Sequence, residues 1–246
     1  MKITLFGSTG PTGRRTLLKL IERNHTVVAV ARNPAALSDI QIPQEKSHLL
    51  IIQKGKGDVM DASSLSNSNV FLVNGSPVDM VLSTVGGKVT TNIFGLVEAG
   101  PTTVYSEGTK NVLQAMRKAN LPNTTRLVVM SANSHDKKTP FFYRKIIKPR
   151  LMPLYVDMDK MESYIEEQAE KGDFEYTFIR AVYIHDGKWL GPPLGKYLAK
   201  PSLEKGDKWW LHYDDAALFL VDELVEAQKW KNTFVVPFEA PGKPSR

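Results

Sequence analysis

Three glycines at three-residue spacing, Gly7, Gly10 and Gly13, follow a short apolar segment near the start of the chain. That segment, Ile3–Phe6, has the length and composition of a buried strand, and Arg14–Arg23 carries leucine and isoleucine at helical spacing. A strand, a glycine turn and a helix in this order form the setting in which a dinucleotide places its pyrophosphate. The N–H groups of the first helical turn, together with the helix dipole, make such a turn an anion site.

Each glycine in such a turn has its own physical task. One allows the tight turn, the next leaves room for backbone to approach a pyrophosphate, and the third lets the helix pack closely on the strand. Pro11 suits the first helical position, where its missing N–H is not needed. The same residues are compatible with a glycine-rich turn that binds no ligand, so later parts of the chain must separate the two interpretations.

Length and composition restrict the class of protein. A chain of 246 residues with 42% hydrophobic and 24% charged residues is typical of one globular α/β domain. No apolar run approaches the roughly 18 residues of a membrane span, and the N-terminus lacks a signal-peptide pattern. We therefore expect a cytoplasmic protein with no membrane contact. The absence of cysteine excludes disulfides, zinc–thiolate sites and thiol nucleophiles, and no metal is expected.

The formal net charge of +6 raises the question of nucleic-acid binding. Most basic residues are dispersed, but one stretch is denser and is interleaved with aromatic residues at 141–143, a pattern that can suit single-stranded nucleic acid. Such a stretch is more often a solvated face, or a surface that attracts an anionic small molecule. We expect no nucleic-acid partner. The residues of this basic stretch are Lys137, Lys138, Arg144, Lys145, Lys148 and Arg150.

The next apolar run, His25–Ala31, predicts a second strand that ends at Arg32. In a dinucleotide-binding unit, the residue closing this strand, about 20 positions beyond the glycines, faces the adenosine ribose. An acid there would bind the 2′-hydroxyl of NAD, whereas the planar cation of an arginine suits a 2′-phosphate. Arg32 therefore predicts NADP(H) as cofactor. Arg14 and Arg15 either add to this pocket or are solvated helix residues.

The remaining apolar runs predict five more strands with helices between them. The predicted strands are His48–Gln53, Val78–Thr84, Thr124–Met130, Phe174–Arg180 and Thr233–Val236, and the predicted helices are Pro101–Ala119, Tyr155–Lys171 and Asp214–Lys229. Alternation of this kind predicts an α/β fold of the Rossmann type, a doubly wound parallel sheet covered on both faces. With no repeat, low-complexity segment or linker, residues 1–246 are predicted to form a single domain.

Three segments are expected to lie outside this regular pattern. Lys88–Gly100 reads as an irregular surface loop, and His135–Met152 as a lid or substrate wall. Tyr183–Gly187 is expected to turn over the edge of the site. The predicted substrate-side segments, about 135–155 and 181–212, include a small C-terminal substrate-binding extension.

Small and polar residues follow several predicted strands at the carboxyl edge, where a doubly wound sheet binds its ligand. Asp58 and Val59 come after the third strand, where they would meet adenine, unless Asp58 caps the following turn. The fourth strand is closed by Val85, Gly86 and Gly87, and small residues at that strand end let a cofactor approach the backbone. Ser131 ends the fifth strand and would lie beside the nicotinamide, or satisfy backbone groups in the next loop.

These motifs together resemble the atypical short-chain dehydrogenase/reductases. The resemblance rests on GSTGPTG with Arg32, then Gly57-Asp58-Val59, and covers most of the chain. The segment from Pro101 to Val112 (PTTVYSEGTKNV) is similar to the helix start of the biliverdin reductase B-like flavin reductases, and the region from Phe141 to Glu162 resembles NmrA-like proteins.

The resemblance implies cofactor-binding roles for specific positions. Arg32 would hold the 2′-phosphate, and Asp58 and Val59 would meet adenine. The residues implied for the pyrophosphate are Gly7, Thr9, Gly10, Pro11, Thr12 and Gly13, and those for the ribose and nicotinamide side are Thr84, Val85 and Gly86.

The resemblance also implies candidate catalytic residues. Ser131 matches the active-site serine of the family, and Lys160 lies on the helix whose lysine approaches the nicotinamide in relatives, although it also reads as a solvated helix lysine. Tyr183 stands where the biliverdin reductase B pattern has a histidine, a departure that argues against biliverdin as substrate.

Ordinary members of the family pair a tyrosine with a lysine four residues later, which lowers the phenol pKa for proton transfer. Tyr143, Tyr155 and Tyr164 all lack this spacing. The proton therefore comes from water or from the substrate, or Tyr183 or Tyr143 supplies it from an unusual position.

The sequence thus predicts an NADPH-dependent reductase acting on a small planar or polycyclic molecule, such as a flavin, a quinone or an aromatic polyketide. The acceptor would stack on Phe141, Phe142, Tyr143 or Trp189. Two alternatives remain open at this level: an NmrA-like NADP(H) sensor without turnover, and a lyase or isomerase on the same scaffold. The oligomeric state is not predicted.

Overall fold

The computed structural model describes residues 1–53, 57–67, 69–91, 96–133, 138–172, 174–188 and 190–240. Its strands are β1 (Lys2–Phe6), β2 (Thr26–Val30), β3 (Leu50–Ile52), β4 (Leu72–Val73), β5 (Ser76–Pro77), β6 (Met80–Ser83), β7 (Val89–Thr91), β8 (Val97–Ala99), β9 (Arg126–Ala132), β10 (Glu175–Ala181), β11 (Tyr183–His185), β12 (Tyr197–Lys200), β13 (Trp210–His212) and β14 (Thr233–Glu239).

The α-helices are α1 (Pro11–Glu22), α2 (Ala62–Asn67), α3 (Ser106–Lys118), α4 (Lys148–Ala169) and α5 (Tyr213–Phe219). Short 3₁₀ helices span Pro34–Leu37 and Gln44–Leu49. A π-helical turn, Tyr143–Ile147, leads into α4, and another, Leu220–Glu226, continues α5. Of the helices in these ranges, none combines the length and apolar character needed to cross a membrane.

The central sheet has eight strands in the order β12-β14-β10-β9-β6-β1-β2-β3. Its strands pair in parallel, except that β12 runs antiparallel to β14 at one edge. The chain goes outward from β1 to β3 and then continues on the other side of β1 with β6. A topological switch point therefore lies between β1 and β6, where a doubly wound sheet binds ligands.

Both faces of this sheet are buried, which is why its strands read as apolar runs in the sequence. On one face, Leu17 and Leu20 of α1 pack with Leu5 and with the π-helical continuation of α5. On the other face, α3 and α4 cover a second cluster that contains Phe6. The prediction of a doubly wound α/β sheet is confirmed, and each strand predicted from the apolar runs belongs to the sheet.

The prediction of an irregular loop over Lys88–Gly100 is wrong in part. Strands β7 and β8 pair antiparallel there, with Val89 opposite Ala99. Positions 92–95 between them lie outside the described residues. Three-residue strands of this kind depend on their partner, so a weak local pattern does not reveal them.

The boundaries of the two long helices also differ from the predictions. The predicted lid over His135–Met152 is helical from residue 141, where a π-helical turn runs directly into α4 and Pro149 and Pro153 lie within the continuing helix. Residues 134–137 of that segment are not among those described. Helix α3 begins at Ser106 rather than at Pro101.

The C-terminal extension is built on a parallel pairing of β11 with β13, so the turn predicted at Tyr183–Gly187 is in part a strand. A buried polar cluster joins this pair to the end of β14. His185 Nε2 lies 2.9 Å from Glu239 Oε1, and Trp210 Nε1 donates to Glu239 Oε2 at 3.0 Å. Glu239 is 3% exposed, so its carboxylate has little access to water as an alternative partner.

We expect Glu239→Ala to lower the free energy of unfolding by roughly 2–5 kcal/mol, since each buried donor left without an acceptor costs about 1–3 kcal/mol. Urea denaturation measures this change. As a control, Glu107→Ala removes a carboxylate that pairs with Lys110 at the surface and should leave stability nearly unchanged. Equal effects of the two substitutions would contradict the role of the cluster.

Candidate functional site

A cleft of about 500 Å³ opens at the carboxyl ends of β1, β2 and β6, at the switch point of the sheet. Most of the residues predicted to hold a cofactor line it. These are Gly7, Thr9, Gly10, Arg32, Asp58, Val59, Thr84, Val85 and Gly86. The remaining three, Pro11, Thr12 and Gly13, form the first turn of α1 and do not line the cleft.

The glycine turn is shaped by the close approach of β6. Gly7 has a φ of +76°, and a Cβ atom there would lie 2.7 Å from the carbonyl carbon of Thr84. A Cβ atom on Gly13 would lie 2.1 Å from the carbonyl oxygen of Gly7, a distance that backbone cannot accommodate. Gly13 therefore packs α1 against the turn, which is the third of the tasks expected for the glycines.

Hydrogen bonds from two hydroxyl groups join the turn region to its neighbouring strands. Thr84 Oγ1 donates to the Phe6 carbonyl at 3.0 Å, and Ser8 Oγ, which is fully buried, donates to the Val30 carbonyl at 3.0 Å. Sequence reasoning did not identify Ser8, because its partner lies on another strand. With Gly10 as N-cap, no side chain caps α1, so its first-turn N–H groups remain available to an anion.

One end of the cleft is cationic. Arg32 lines it, and among the residues described no carboxylate pairs with its guanidinium. The two other candidate arginines are engaged elsewhere. Arg14 Nη2 lies 2.7 Å from Asp39 Oδ1, a hydrogen bond that lowers the pKa of Asp39. Arg15 Nε lies 3.3 Å from Asp214 Oδ2.

Beside Arg32, Asp58 and Val59 form part of the wall. Asp58 Oδ1 accepts from the Met60 backbone N–H at 3.0 Å, so the turn-capping role considered for this residue is present. Helix α3 supports the same wall, since Asn111 Nδ2 donates to the Val59 carbonyl at 2.9 Å. Sequence analysis did not predict this contact of Asn111.

At the opposite end of the cleft, a carboxylate from α4 positions the wall. Gly87 donates its N–H to the hydroxyl oxygen of Tyr105 at 2.8 Å, and Tyr105 donates its own backbone N–H to Asp157 Oδ2 at 2.9 Å. The Ser106 hydroxyl donates to the other oxygen of Asp157. Asp157, 2% exposed, thus fixes the start of α3 at Ser106. No sequence motif identified it, because its partners are about fifty residues away.

Three phenols lie in this region. The hydroxyls of Tyr143 and Tyr155 hydrogen-bond to each other, and that of Tyr105 holds Gly87. Burial raises the pKa of all three phenols, and the neighbouring Tyr143 raises that of Tyr155 further. Within the described part of the chain, no lysine bonds to any of them. These phenols are therefore neutral hydrogen-bonding groups and not activated acids or bases.

The three predicted catalytic residues do not lie together. Ser131 is buried in β9, opposite Arg180 of β10. Lys160 lies in an exposed groove between α3 and α4, outside the cleft. Tyr183 is 44% exposed on β11, with its ring centroid 5.9 Å from that of Trp209.

Aromatic side chains continue from the phenols toward the C-terminal extension. The ring of Trp209 lies 5.5 Å from that of Tyr143 and 5.7 Å from that of Trp210. The residues expected to stack on an acceptor, Phe141 and Phe142, are 69% and 55% exposed. Trp189 lies outside the described residues. Trp209 and Trp210 fall within the predicted substrate-side segment 181–212, although they were not named among the stacking residues.

Fold and cleft together define a Rossmann-type nucleotide-binding protein. The sequence pattern of an NAD(P)H-binding family matches residues 7–226, and the chain belongs to this family.

Solved structures with the same fold share little sequence with the chain. ChuY, an anaerobillin reductase from Escherichia coli O157:H7, is 19% identical over 100% of both chains, with a TM-score of 0.69. A candidate NAD-dependent epimerase/dehydratase from Bacillus halodurans is 16% identical over 98% of this chain and 94% of that one (TM-score 0.67). A candidate NADH-flavin reductase from Streptococcus pneumoniae is 19% identical over 98% and 100%, respectively (TM-score 0.63). At these identities the likeness establishes the fold alone.

We expect Gly13→Ala to destabilise the ligand-free protein by about 1–3 kcal/mol or more, because the added methyl group meets backbone. Gly10→Ala is the matched control, since a Cβ atom there would lie 3.4 Å from the Gly7 carbonyl oxygen. Thermal or urea unfolding of the two variants measures the difference. Similar stability of both variants would contradict the packing role of Gly13.

Proposed function

We propose that the protein is an NADPH-dependent reductase of the atypical short-chain dehydrogenase type, acting on a small planar or polycyclic acceptor. The observation that carries this proposal is the cleft at the switch point, which the glycine turn and Arg32 line and in which, among the described residues, no carboxylate pairs with Arg32. Membership of the NAD(P)H-binding family supports a nicotinamide cofactor. The reductase names of two structural neighbours are consistent with this class of reaction.

The residues present fit a dinucleotide. A side chain on Gly7 or Gly13 would fill the space at the start of α1, and the first-turn N–H groups have no side-chain cap. In this proposal the glycine turn holds the pyrophosphate and Arg32 the 2′-phosphate. Asp58 and Val59 hold the adenine, and the segment 84–86 faces the ribose and nicotinamide. When bound, the cofactor supplies hydride.

The buried phenols favour a particular kind of acceptor. With raised pKa values, no bonded lysine in the described ranges, and hydroxyls that bond to each other or to Gly87, Tyr105, Tyr143 and Tyr155 are poor proton donors. Flavins and quinones suit such a site, because they can take hydride and then collect a proton from water. An isolated ketone would need an acid at the moment of transfer.

The surroundings also favour a planar acceptor with an anionic group. Trp209 and Trp210 extend the aromatic surface beyond Tyr143, and Lys208 Nζ lies 4.7 Å from the ring centroid of Trp210. A planar ring system would gain contact area on such a surface. Ser131 lies one residue before the end of β9, the strand next to β6, and is retained in the proposal as a group near the nicotinamide.

The reductase proposal is tested by mixing the protein with NADPH and menadione or FMN and following loss of the reduced nicotinamide absorbance. We expect oxidation with both acceptors and none with cyclohexanone, since the phenols among the described residues are not activated as acids. A mass-spectrometric check of the product separates reduction from lyase or isomerase chemistry. Failure to oxidise NADPH across a broad panel of quinones and flavins would overturn the proposal.

A second candidate function is an NADP(H) sensor of the NmrA kind. This alternative is favoured because, in the part of the chain described, no lysine is bonded to a buried phenol. A sensor would bind NADP(H) tightly, would show no turnover with any acceptor, and would co-purify with a partner protein.

Cofactor choice gives a separate prediction. We expect Arg32→Ala to weaken NADPH binding by about 1–3 kcal/mol, or about 5- to 150-fold in Kd, the usual size for a hydrogen bond to a charged group. NADH binding should change little. Arg14→Ala is the control, since Arg14 pairs with Asp39, and it should leave NADPH affinity nearly unchanged. Titration of each variant with both cofactors measures the effects, and an equal loss for NADH would contradict the 2′-phosphate assignment.

A further inference from the structure

One helical segment presents exposed apolar side chains to solvent. It spans residues 141–156, the π-helical turn and the first turns of α4. Phe141 and Phe142 are 69% and 55% exposed, more than any other large apolar side chain in the part of the chain described. Met152 and Val156 are also exposed. Single exposed apolar residues are common, whereas a group of them in one segment marks an interaction surface.

The exposed residues of this segment fall on one side of it. They follow one another at spacings of three and four, the spacing of neighbours on a helix surface. The residues in this series are Phe142, Lys145, Pro149, Met152 and Val156. The opposite side is packed, since Tyr143, Leu154 and Tyr155 are buried. The segment is thus fixed to the protein by one side and open on the other.

The charges on the open side all have one sign. Positions 137–156 include no aspartate or glutamate. Four cations lie in the helical part, and among the described residues no carboxylate pairs with them. They are Arg144, Lys145, Lys148 and Arg150. We call these four cations, with Phe141, Phe142, Met152 and Val156, the basic apolar face.

Helix stability does not account for this charge distribution. The N-terminal end of a helix favours acidic side chains, and the C-terminal end favours basic ones. Helix α4 has no acid in its first turn, which carries Lys148 and Arg150, and no base in its last turn. This order is the reverse of the one that the helix dipole stabilises. A partner outside the helix explains the cations better than the fold does.

A lipid surface suits this face better than other partners. A second copy of the chain would bring cations against cations. Single-stranded nucleic acid could stack on Phe141 and Phe142 but would gain little from the aliphatic Met152 and Val156. An anionic membrane attracts lysine and arginine to its headgroups and takes apolar side chains into the boundary with the acyl chains.

We propose that the basic apolar face docks the protein on an anionic membrane surface, with Phe141 and Phe142 inserted and the cations at the headgroups. This docking goes beyond the proposed function and does not depend on it. It departs from the expectation of no membrane contact, which rested on the lack of a spanning segment. Because the opposite side of the segment stays packed, docking requires no unfolding of α4.

Co-sedimentation with vesicles tests the docking. We expect the native protein to bind vesicles of phosphatidylcholine that contain about 30% phosphatidylserine, and to bind pure phosphatidylcholine at least about 10-fold more weakly, because that surface lacks negative charge. Added salt should weaken binding to the anionic vesicles, since exposed charges are screened.

Two double variants separate the contributions of charge and apolar insertion. Arg144→Gln with Lys145→Gln should weaken binding to the anionic vesicles about 10- to 30-fold, at roughly 5-fold for each cation. Phe141→Ser with Phe142→Ser should weaken it at least about 10-fold, because two inserted rings are lost. All four side chains are exposed, so the midpoint of thermal unfolding should stay near that of the native protein.

Matched controls remove similar groups elsewhere. Lys118→Gln with Lys171→Gln takes the same charge from exposed positions at the end of α3 and just after α4. Leu18→Ser replaces an exposed apolar residue of α1. Neither control should change vesicle binding appreciably, because the proposal assigns binding to one face and not to net charge or overall hydrophobicity.

Several results would overturn the proposal. One is no binding of the native protein to the phosphatidylserine vesicles, and another is an equal loss in the control variants. Tighter binding to a single-stranded oligonucleotide, abolished by the phenylalanine substitutions, would assign the face to nucleic acid. A dimer that the same substitutions dissociate would assign it to a second copy. If the serine variant did not fold, the glutamine variant with its control would still decide between these outcomes.

Discussion

The architecture of the site depends on one close approach, that of helix α1 to the glycine turn at the end of β1. Gly13 packs against the Gly7 carbonyl, and the Thr84 hydroxyl ties the same turn to β6. This contact sets how near the helix N-terminus comes to the switch point of the sheet. The anion site, the width of the cleft and the approach of β6 all follow from it, because a single methyl group at either glycine would separate these elements.

The far end of the cleft depends on a second interaction, in which α4 holds α3 through a buried carboxylate. Asp157 accepts from the backbone of Tyr105, and the Tyr105 hydroxyl in turn holds Gly87. The same packing buries the phenols and raises their pKa values, since a charged phenolate would lose its hydration there. One arrangement of helices thus shapes the wall of the site and also decides which kind of chemistry its tyrosines can support.

Much of the cleft lining could be predicted from sequence, because the carboxyl ends of parallel strands converge at one edge. Arg32, Asp58 and the segment 84–86 were placed on one cleft for this reason alone, and they line it. The residues expected to act on the acceptor, Ser131, Lys160 and Tyr183, do not lie together. Lys160 lies in the exposed groove between α3 and α4, outside the cleft. Which way a helix residue faces depends on how the helix packs, and the sequence alone does not give this. The contacts of Asp157 were missed because they join residues about fifty positions apart in the chain.

The sequence by itself determined the succession of the parallel strands and long helices along the chain and the position of the glycine turn, since these follow from periodicity and local backbone constraints. The antiparallel edge strand β12 was not predicted. The tertiary structure decided which polar side chains find hydrogen-bond or ion-pair partners. It paired Arg14 and Arg15 with carboxylates, placed Arg32 in the lining of the cleft, and buried the phenols. The physical reason is that hydrogen bonding and desolvation depend on neighbours brought together by folding, which spacing along the chain does not specify.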